Sequence, residues 1–366
     1  MYKKMLFAFL LIVGMVACSK NEDPEAIEGK LYFPPVGSSE WSTVSVDSLG
    51  WDITVLDDLY TFLEENGTRA FIILKDGKIV TEQYWGENIL GTGSFMMSSQ
   101  WYWASAGKSL TAFLVGIAQQ EDLLNINDKT SDYLGLGWSS LSEEKENLIT
   151  IRHHLTMTTG LDYTSGDLDC TDPECLHYKA DAGEQWYYHN AAYTLLEGVV
   201  SAAGGQSYNS FTDQRLEAAT GMNGTWIKSG YRNIYYSTAR DMARFGLLVL
   251  NKGKWSNIPV LKDQNYYTEM INTSQNLNLS YGYLWWLNGK SSIIIPGLTV
   301  PIKTMAAPKA PEDMFVAAGK NGQFIDVIPS ENIVVVRMGE APDEALVPIQ
   351  FHNDMWAKIA ELINFR

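Results

Sequence analysis

Basic residues are scarce in this 366-residue chain, where 27 Lys and Arg stand against 43 Asp and Glu for a net charge of −16. That deficit excludes a protein that holds nucleic acid by neutralising phosphates, which needs a cationic surplus to release counterions. Cysteine numbers three and histidine five, and no His-Glu-x-x-His spacing occurs, so neither a metal nor another cofactor is expected. Charged residues at 19% and hydrophobic ones at 46% rule out disorder or coiled coil along the whole length. No internal repeat is present. The one long apolar run, residues 5–17, is too short to cross a bilayer as a helix. What remains is ordinary globular material, enough for two domains or one large one with a substantial core.

Lys3 and Lys4 precede the apolar run and Cys18 ends it, so residues 1–17 read as a signal peptide. Met15-Val16-Ala17-Cys18 resembles a bacterial lipobox, although Met15 stands where Leu is usual. The resemblance implies lipidation at Cys18, export, and contact with a bacterial membrane only through the lipid anchor. Residues 18–45 are then a tether, polar at its start, and 46–366 the folded part. An oxidising compartment favours pairing of Cys170 and Cys175, which bracket the turn-rich Thr-Asp-Pro-Glu, over metal ligation.

Apolar spacing predicts a helix over 52–66, then strands over 70–74 and 79–85 joined by an Asp76-Gly77 hairpin signal. Residues 105–120 read as a helix with Leu110, Phe113, Leu114 and Ile117 on one face. Two late strands, 323–327 and 332–338, precede a closing helix that carries Trp356, Ile359, Leu362 and Ile363. Strands at both ends with helices between them predict an α+β fold. Its antiparallel sheet is built from both terminal regions (about 50–115 and 280–366), with a mostly helical region inserted at about 116–279. Residues 288–313, with four prolines, read as a long irregular loop.

The chemistry begins at Ser105-Ala106-Gly107-Lys108. A serine hydroxyl needs a base against it and donors around the developing oxyanion. At a helix start, Lys108 shares a face with Ser105, and a desolvated ammonium has its pKa lowered enough to take the serine proton. This is the Ser-x-x-Lys logic of serine β-lactamases and penicillin-binding proteins. The spacing alone is weak, since Ser142-Glu-Glu-Lys145 matches it too, but only the first copy has an aromatic approach (Trp101-Tyr102-Trp103) and small neighbours.

Tyr188-His189-Asn190, entering an apolar helix, resembles the second motif of the superfamily of class C β-lactamases, D-alanyl-D-alanine carboxypeptidases and esterases. Tyr231-Arg232-Asn233 competes for that role. Three Lys-x-Gly candidates exist for the third motif: Lys75-Asp76-Gly77, Lys228-Ser229-Gly230 and Lys320-Asn321-Gly322, the last leading into a strand. The resemblance covers about residues 50–365 and implies a β-lactamase/transpeptidase-like fold. It implies an acyl-enzyme on Ser105, with Lys108 and Tyr188 moving protons. Asn190, Lys320, Asn321 and Gly322 would bind substrate, and the backbone amides of Ser105 and Gln323 would form the oxyanion hole. Asn321 after the lysine and His189 within the second motif depart from the β-lactamase pattern and favour the esterase and 6-aminohexanoate-dimer hydrolase branch. The substrate is then a small ester, amide or peptide-like molecule. A β-lactamase or penicillin-binding carboxypeptidase, and an inactive binding protein on the same scaffold, are the alternatives. The adjacent His153 and His154 read as structural, and Trp101, Trp103, Trp186, Trp285 and Trp286 as either cleft wall or core.

Overall fold

The computed structural model describes residues 31–164, 166–345 and 347–365, so the signal peptide, Cys18 and the start of the tether lie outside the described residues. Within them no helix is long and apolar enough to cross a membrane. The centre is a six-stranded antiparallel sheet. Strands β1 (Thr68–Lys75) and β2 (Lys78–Tyr84) form the expected hairpin, and β3 (Trp101–Tyr102), β4 (Thr225–Ser229) and β5 (Arg232–Ser237) make a smaller sheet of their own. Strands β6 (Trp286–Leu287), β7 (Phe315–Gly319), β8 (Gln323–Ile328) and β9 (Ile333–Gly339) complete the large sheet in the order β2-β1-β9-β8-β7-β6. Its central run Ile333–Val336 is buried on both faces, and a strand covered on two sides reads as continuous Ile and Val rather than alternation.

Helices α1 (Leu56–Glu65), α2 (Gly107–Gln120), α3 (Asn190–Gly204), α4 (Ala239–Leu250) and α5 (Ile349–Leu362) surround the sheet. Helix α2 is buried from Gly107 to Ala118 rather than along one face, the mark of a helix enclosed by protein on all sides. Helix α4 crosses the sheet through Gly246, where a Cβ would come within 2.5 Å of Val334. The inserted region is therefore neither wholly helical nor wholly separate. The hairpin β4–β5 also runs through Lys228-Ser229-Gly230, which shows no convincing strand signal in sequence but closes a tight turn with Gly230 at φ +62°.

The stretch expected as tether up to residue 45 is instead fastened to the body from residue 31 onward. Tyr32 N–H donates to the Asp76 carbonyl (2.9 Å), the Trp41 indole to Gly77 (2.8 Å), and Val44 N–H to Ile79 (2.9 Å). Arg244 reaches back to the carbonyls of Pro35 and Ser38. The Val44 bond, with Ile79 N–H donating back to Ser42, covers the start of the open edge of β2, and the others fasten the segment to the hairpin turn and to α4. Residues 288–313 do run without helix or strand, held by Asn288, whose amide donates to the Ala307 and Pro311 carbonyls.

Candidate active site

Ser105 sits in a single 3₁₀ turn, Ala104–Ala106, that feeds α2. Ala104 is left-handed, with φ +48°, a conformation that costs a non-glycine residue free energy and that functional turns tend to retain. Trp103, just before it, is fixed by its backbone N–H to Tyr235 and its indole to Ser237. The turn therefore has little freedom, and Ser105 is presented where α2 begins.

Lys108 is 2% exposed, and its Nζ lies 2.9 Å from Ser105 Oγ and 3.0 Å from Asn190 Oδ1. The ammonium also stands over the rings of Tyr193 (4.0 Å) and Tyr188 (4.8 Å). Burial pulls its pKa from 10.5 to about 7, against the opposing charge of Asp169. The Tyr188 hydroxyl is buried and directed at Ser105, closes no hydrogen bond of ordinary geometry, and has its pKa raised by desolvation. Tyr188 stacks on Trp286 (5.6 Å) and meets Tyr281 edge-on, while Trp186 packs against both partners. Trp186 and Trp286 thus wall the site, whereas Trp103 and Trp285 are wholly buried in the core.

Asn190 opens α3, and Tyr193 follows one turn later on the same face. The Asn190 amide nitrogen donates to Asp169 Oδ1 (2.7 Å), and Asp169 Oδ2 accepts from Arg232 Nε (2.6 Å). Cys170 and Cys175 are bonded (S–S 2.01 Å), closing the turn that directly follows Asp169. Arg232 acts in this site through Asp169, whereas the neighbouring Tyr231 hydroxyl bonds Asp172.

The structure brings Ser105, Lys108, Tyr188 and Asn190 together, and does not bring Lys320 and Gln323 to them in the expected way. The Lys320 side chain is exposed, and its ammonium makes no hydrogen bond or ion pair among the described residues. Lys320-Asn321-Gly322 is a turn with Asn321 and Gly322 left-handed, gripped by the buried Arg337 through the carbonyls of both residues. The Asn321 side chain bonds the Tyr102 hydroxyl (2.8 Å). Gln323 begins β8, an interior strand whose two edges are taken by β7 and β9, and its side chain clamps the Gly339 backbone. It has no free edge to offer an oxyanion.

The free edge belongs to β7. Gly319 lies so close to the nucleophile turn that a Cβ there would be 2.5 Å from the Trp103 carbonyl and 3.1 Å from Ser105 N. Met314 accepts from Asn288 N–H on the β6 side, and residues of a strand alternate the edge to which they turn their amides. Ala318 therefore turns its amide to the β6 side, two residues past Val316, the last to pair with β6. A small cavity lined by Trp286, Ile293, Val316, Ala318, Phe324 and His352 lies against the side chains of this strand, and Ser105, Lys108, Tyr188 and Asn190 are not among its walls.

Other sequence candidates have structural work. Ser142 caps the turn Glu143–Glu146 and Lys145 pairs with Asp181 (2.7 Å). His153 closes a capping box with Thr150, and His154 is buried between Thr130 and the Ala192 carbonyl. His189 is buried and touches the Asp162 carbonyl at 3.4 Å. Among the described residues no group of three or more His, Cys, Asp or Glu could hold a metal.

Sequence reading missed Asp169, Tyr193 and Ala318. Tyr193 was within reach, since it lies three residues from Asn190 on a helix, but nothing local marks Asp169 or the plain run Phe315-Val-Ala-Ala-Gly.

Known proteins share this architecture. An uncharacterized protein of Alkalihalophilus pseudofirmus is 24% identical over 302 residues, 74% of this chain and 83% of that protein. A solved Bacillus anthracis structure, provisionally designated a 6-aminohexanoate-dimer hydrolase, superposes with a TM-score of 0.68 at 17% identity, covering 89% of this chain and 88% of the other. A penicillin-binding protein homologue from Caulobacter crescentus gives 0.67 at 11% identity, covering 88% and 99%. The fold is therefore that of β-lactamases and penicillin-binding proteins, α+β with a mainly antiparallel sheet. With the Beta-lactamase family model matching residues 64–346, a span that holds the serine, the lysine and the β7 edge, the chain belongs to the β-lactamase family.

Proposed function

We propose that this protein is an exported serine hydrolase that cleaves an ester or amide bond through an acyl-enzyme on Ser105. The observation that carries the reading is the Lys108 ammonium, buried beside Ser105 Oγ with its pKa brought to about 7. At that value half the lysine is neutral near pH 7 and accepts the serine proton as Oγ attacks the carbonyl carbon. The oxyanion is held by the amides of Ser105 and Ala318, the latter replacing Gln323 in that role. Tyr188, with its unpaired hydroxyl beside Ser105, relays the proton to the departing alcohol or amine. Water then attacks the ester carbon, returns a proton to Ser105 Oγ through the same groups, and releases the acid.

One feature favours an ester or amide over a β-lactam: Asn321, which departs from the β-lactamase pattern, gives its side-chain amide to the Tyr102 hydroxyl (2.8 Å) rather than leaving it for a substrate carboxylate. The kinship of fold with a provisionally designated 6-aminohexanoate-dimer hydrolase agrees. Lys3, Lys4 and Cys18 support a lipid-anchored location on a bacterial membrane, and the Cys170–Cys175 bond suits such an oxidising setting.

The test is turnover of p-nitrophenyl acetate and butyrate beside nitrocefin and a D-alanyl-D-alanine peptide, with Ser105→Ala as control. Ester hydrolysis that vanishes in Ser105→Ala and rises through pH 7 supports the reading. Faster turnover of nitrocefin or of the peptide moves the assignment to the penicillin-recognising enzymes. No turnover of any of the four points to a binding protein.

A further inference from the structure

We propose that Asp169 is a positioning residue of the Ser105–Lys108 centre, held in place by Arg232 and by the Cys170–Cys175 disulfide. The inference rests on Lys108 as the base and extends that reading to a loop more than sixty residues from the nucleophile, where neither the Ser-x-x-Lys nor the Tyr-x-Asn pattern points.

An asparagine amide has an accepting and a donating end, and which end faces a lysine decides whether the contact attracts or repels. Asn190 turns its oxygen to Lys108 Nζ (3.0 Å) because its nitrogen is taken by Asp169 Oδ1 (2.7 Å). Without that acceptor the inverted amide would bring N–H groups against an ammonium. Asp169 also supplies the carboxylate that opposes the effect of burial on Lys108. The other groups facing Lys108 are the Ser105 hydroxyl and the neutral phenols of Tyr188 and Tyr193. Around Asp169 stand Arg232 from β5, the buried His189, whose pKa is lowered by desolvation, and Asp167, whose carboxylate accepts from Asp169 N–H (2.9 Å), while Asp172 and Glu174 lie farther along the loop by Tyr231.

The loop is built to hold Asp169 still. On one side the Leu168 carbonyl accepts from Ala191 N–H at the first turn of α3 (2.8 Å). On the other, Cys170 is buried and bonded to Cys175. The Arg232 side chain is 64% exposed, so solvent screens the guanidinium while it still fixes the second carboxylate oxygen.

The test is the pH profile of kcat/KM for p-nitrophenyl acetate, measured from pH 5.5 to 9 on the intact oxidised chain and on Asp169→Asn, Asp169→Glu and Arg232→Gln. Asp169→Asn is expected to lower kcat about tenfold or more. It should also move the acid limb to lower pH by roughly half to one unit, because the charge that favoured the ammonium is gone. Arg232→Gln unmasks the Asp169 charge and is expected to move the limb the opposite way, and Asp169→Glu to restore part of the rate. A uniform rate loss in Asp169→Asn with the acid limb unmoved would overturn the proposal and leave Asp169 a structural residue, as would wild-type behaviour. Lys108→Ala is the separate control: if it keeps the wild-type rate, the base assignment itself fails, whatever Asp169 does.

Discussion

Replacing Lys108 with methionine is expected to abolish hydrolysis and make the protein more stable at the same time. A fold that lowers a lysine pKa from 10.5 to about 7 disfavours the charged form by about 5 kcal/mol, at 1.36 kcal/mol per unit. The folded value lies below the unfolded one, so between pH 7 and 10.5 the unfolded chain binds more protons and stability rises with pH. The full cost is present below pH 7 and is gone above about 10.5. Methionine has a similar volume and no charge, and the apolar and aromatic surroundings accept it. Against the gain stands the Asn190 oxygen left without its donor, worth about 1–3 kcal/mol. The net expectation is a stabilisation of roughly 2–4 kcal/mol at pH 6 that fades to nothing or reverses by pH 10. The assay is urea unfolding of Lys108→Met and the parent at pH 6, 8 and 10, comparing midpoints at a common slope. A variant less stable than the parent at pH 6, or a difference that does not change with pH, would refute the argument that Lys108 is held against its own hydration.

Three further outcomes follow from the geometry. Tyr188→Phe, which keeps the ring stacked on Trp286 and removes only the hydroxyl, should lower kcat by about 100-fold or more with little change in stability. Gly319→Val should cost both activity and about 1–3 kcal/mol of stability, because its Cβ would sit 2.5 Å from the Trp103 carbonyl; thermal unfolding and ester turnover read the two losses. Replacing Cys170 and Cys175 together with serine should cost about 2 kcal/mol, since the closed loop is short, and should lower the ester rate several-fold by releasing Asp169.

The parts of the site that sequence could reveal are those fixed by one element. Ser105 and Lys108 are a turn apart at the start of one helix, and Tyr188 and Asn190 enter a single helix, so spacing together with the aromatic approach and small neighbours carries their relation. The two terminal strand pairs were legible for the same reason, as hairpins and short apolar runs with turn residues between them. The third element was not. Gly-Lys-Asn-Gly is a good turn signal and holds a lysine, yet what matters chemically is the open edge of the strand before it. That edge exists because β6 is only two residues long and stops short of Ala318. Edge position is a property of pairing across some thirty residues of chain, and no residue type at 315–319 announces it. Asp169 escaped for a similar reason, since a carboxylate in a loop of acidic residues looks solvated until the disulfide and Arg232 place it beside Asn190. The tether was read too long because residues 31–45 are fastened to the β1–β2 hairpin and to Arg244 largely through their backbone groups, which carry no side-chain signature.

The central claim is that Ser105 is a working nucleophile activated by Lys108. The most direct measurement is the intact mass of the folded protein after incubation with a fluorophosphonate probe at pH 8, with peptide mapping, alongside Ser105→Ala and Lys108→Met. A single adduct on Ser105, absent from Ser105→Ala and slowed at least 100-fold in Lys108→Met, is the predicted result. No adduct on folded protein, or an adduct that forms as fast without Lys108, would contradict it.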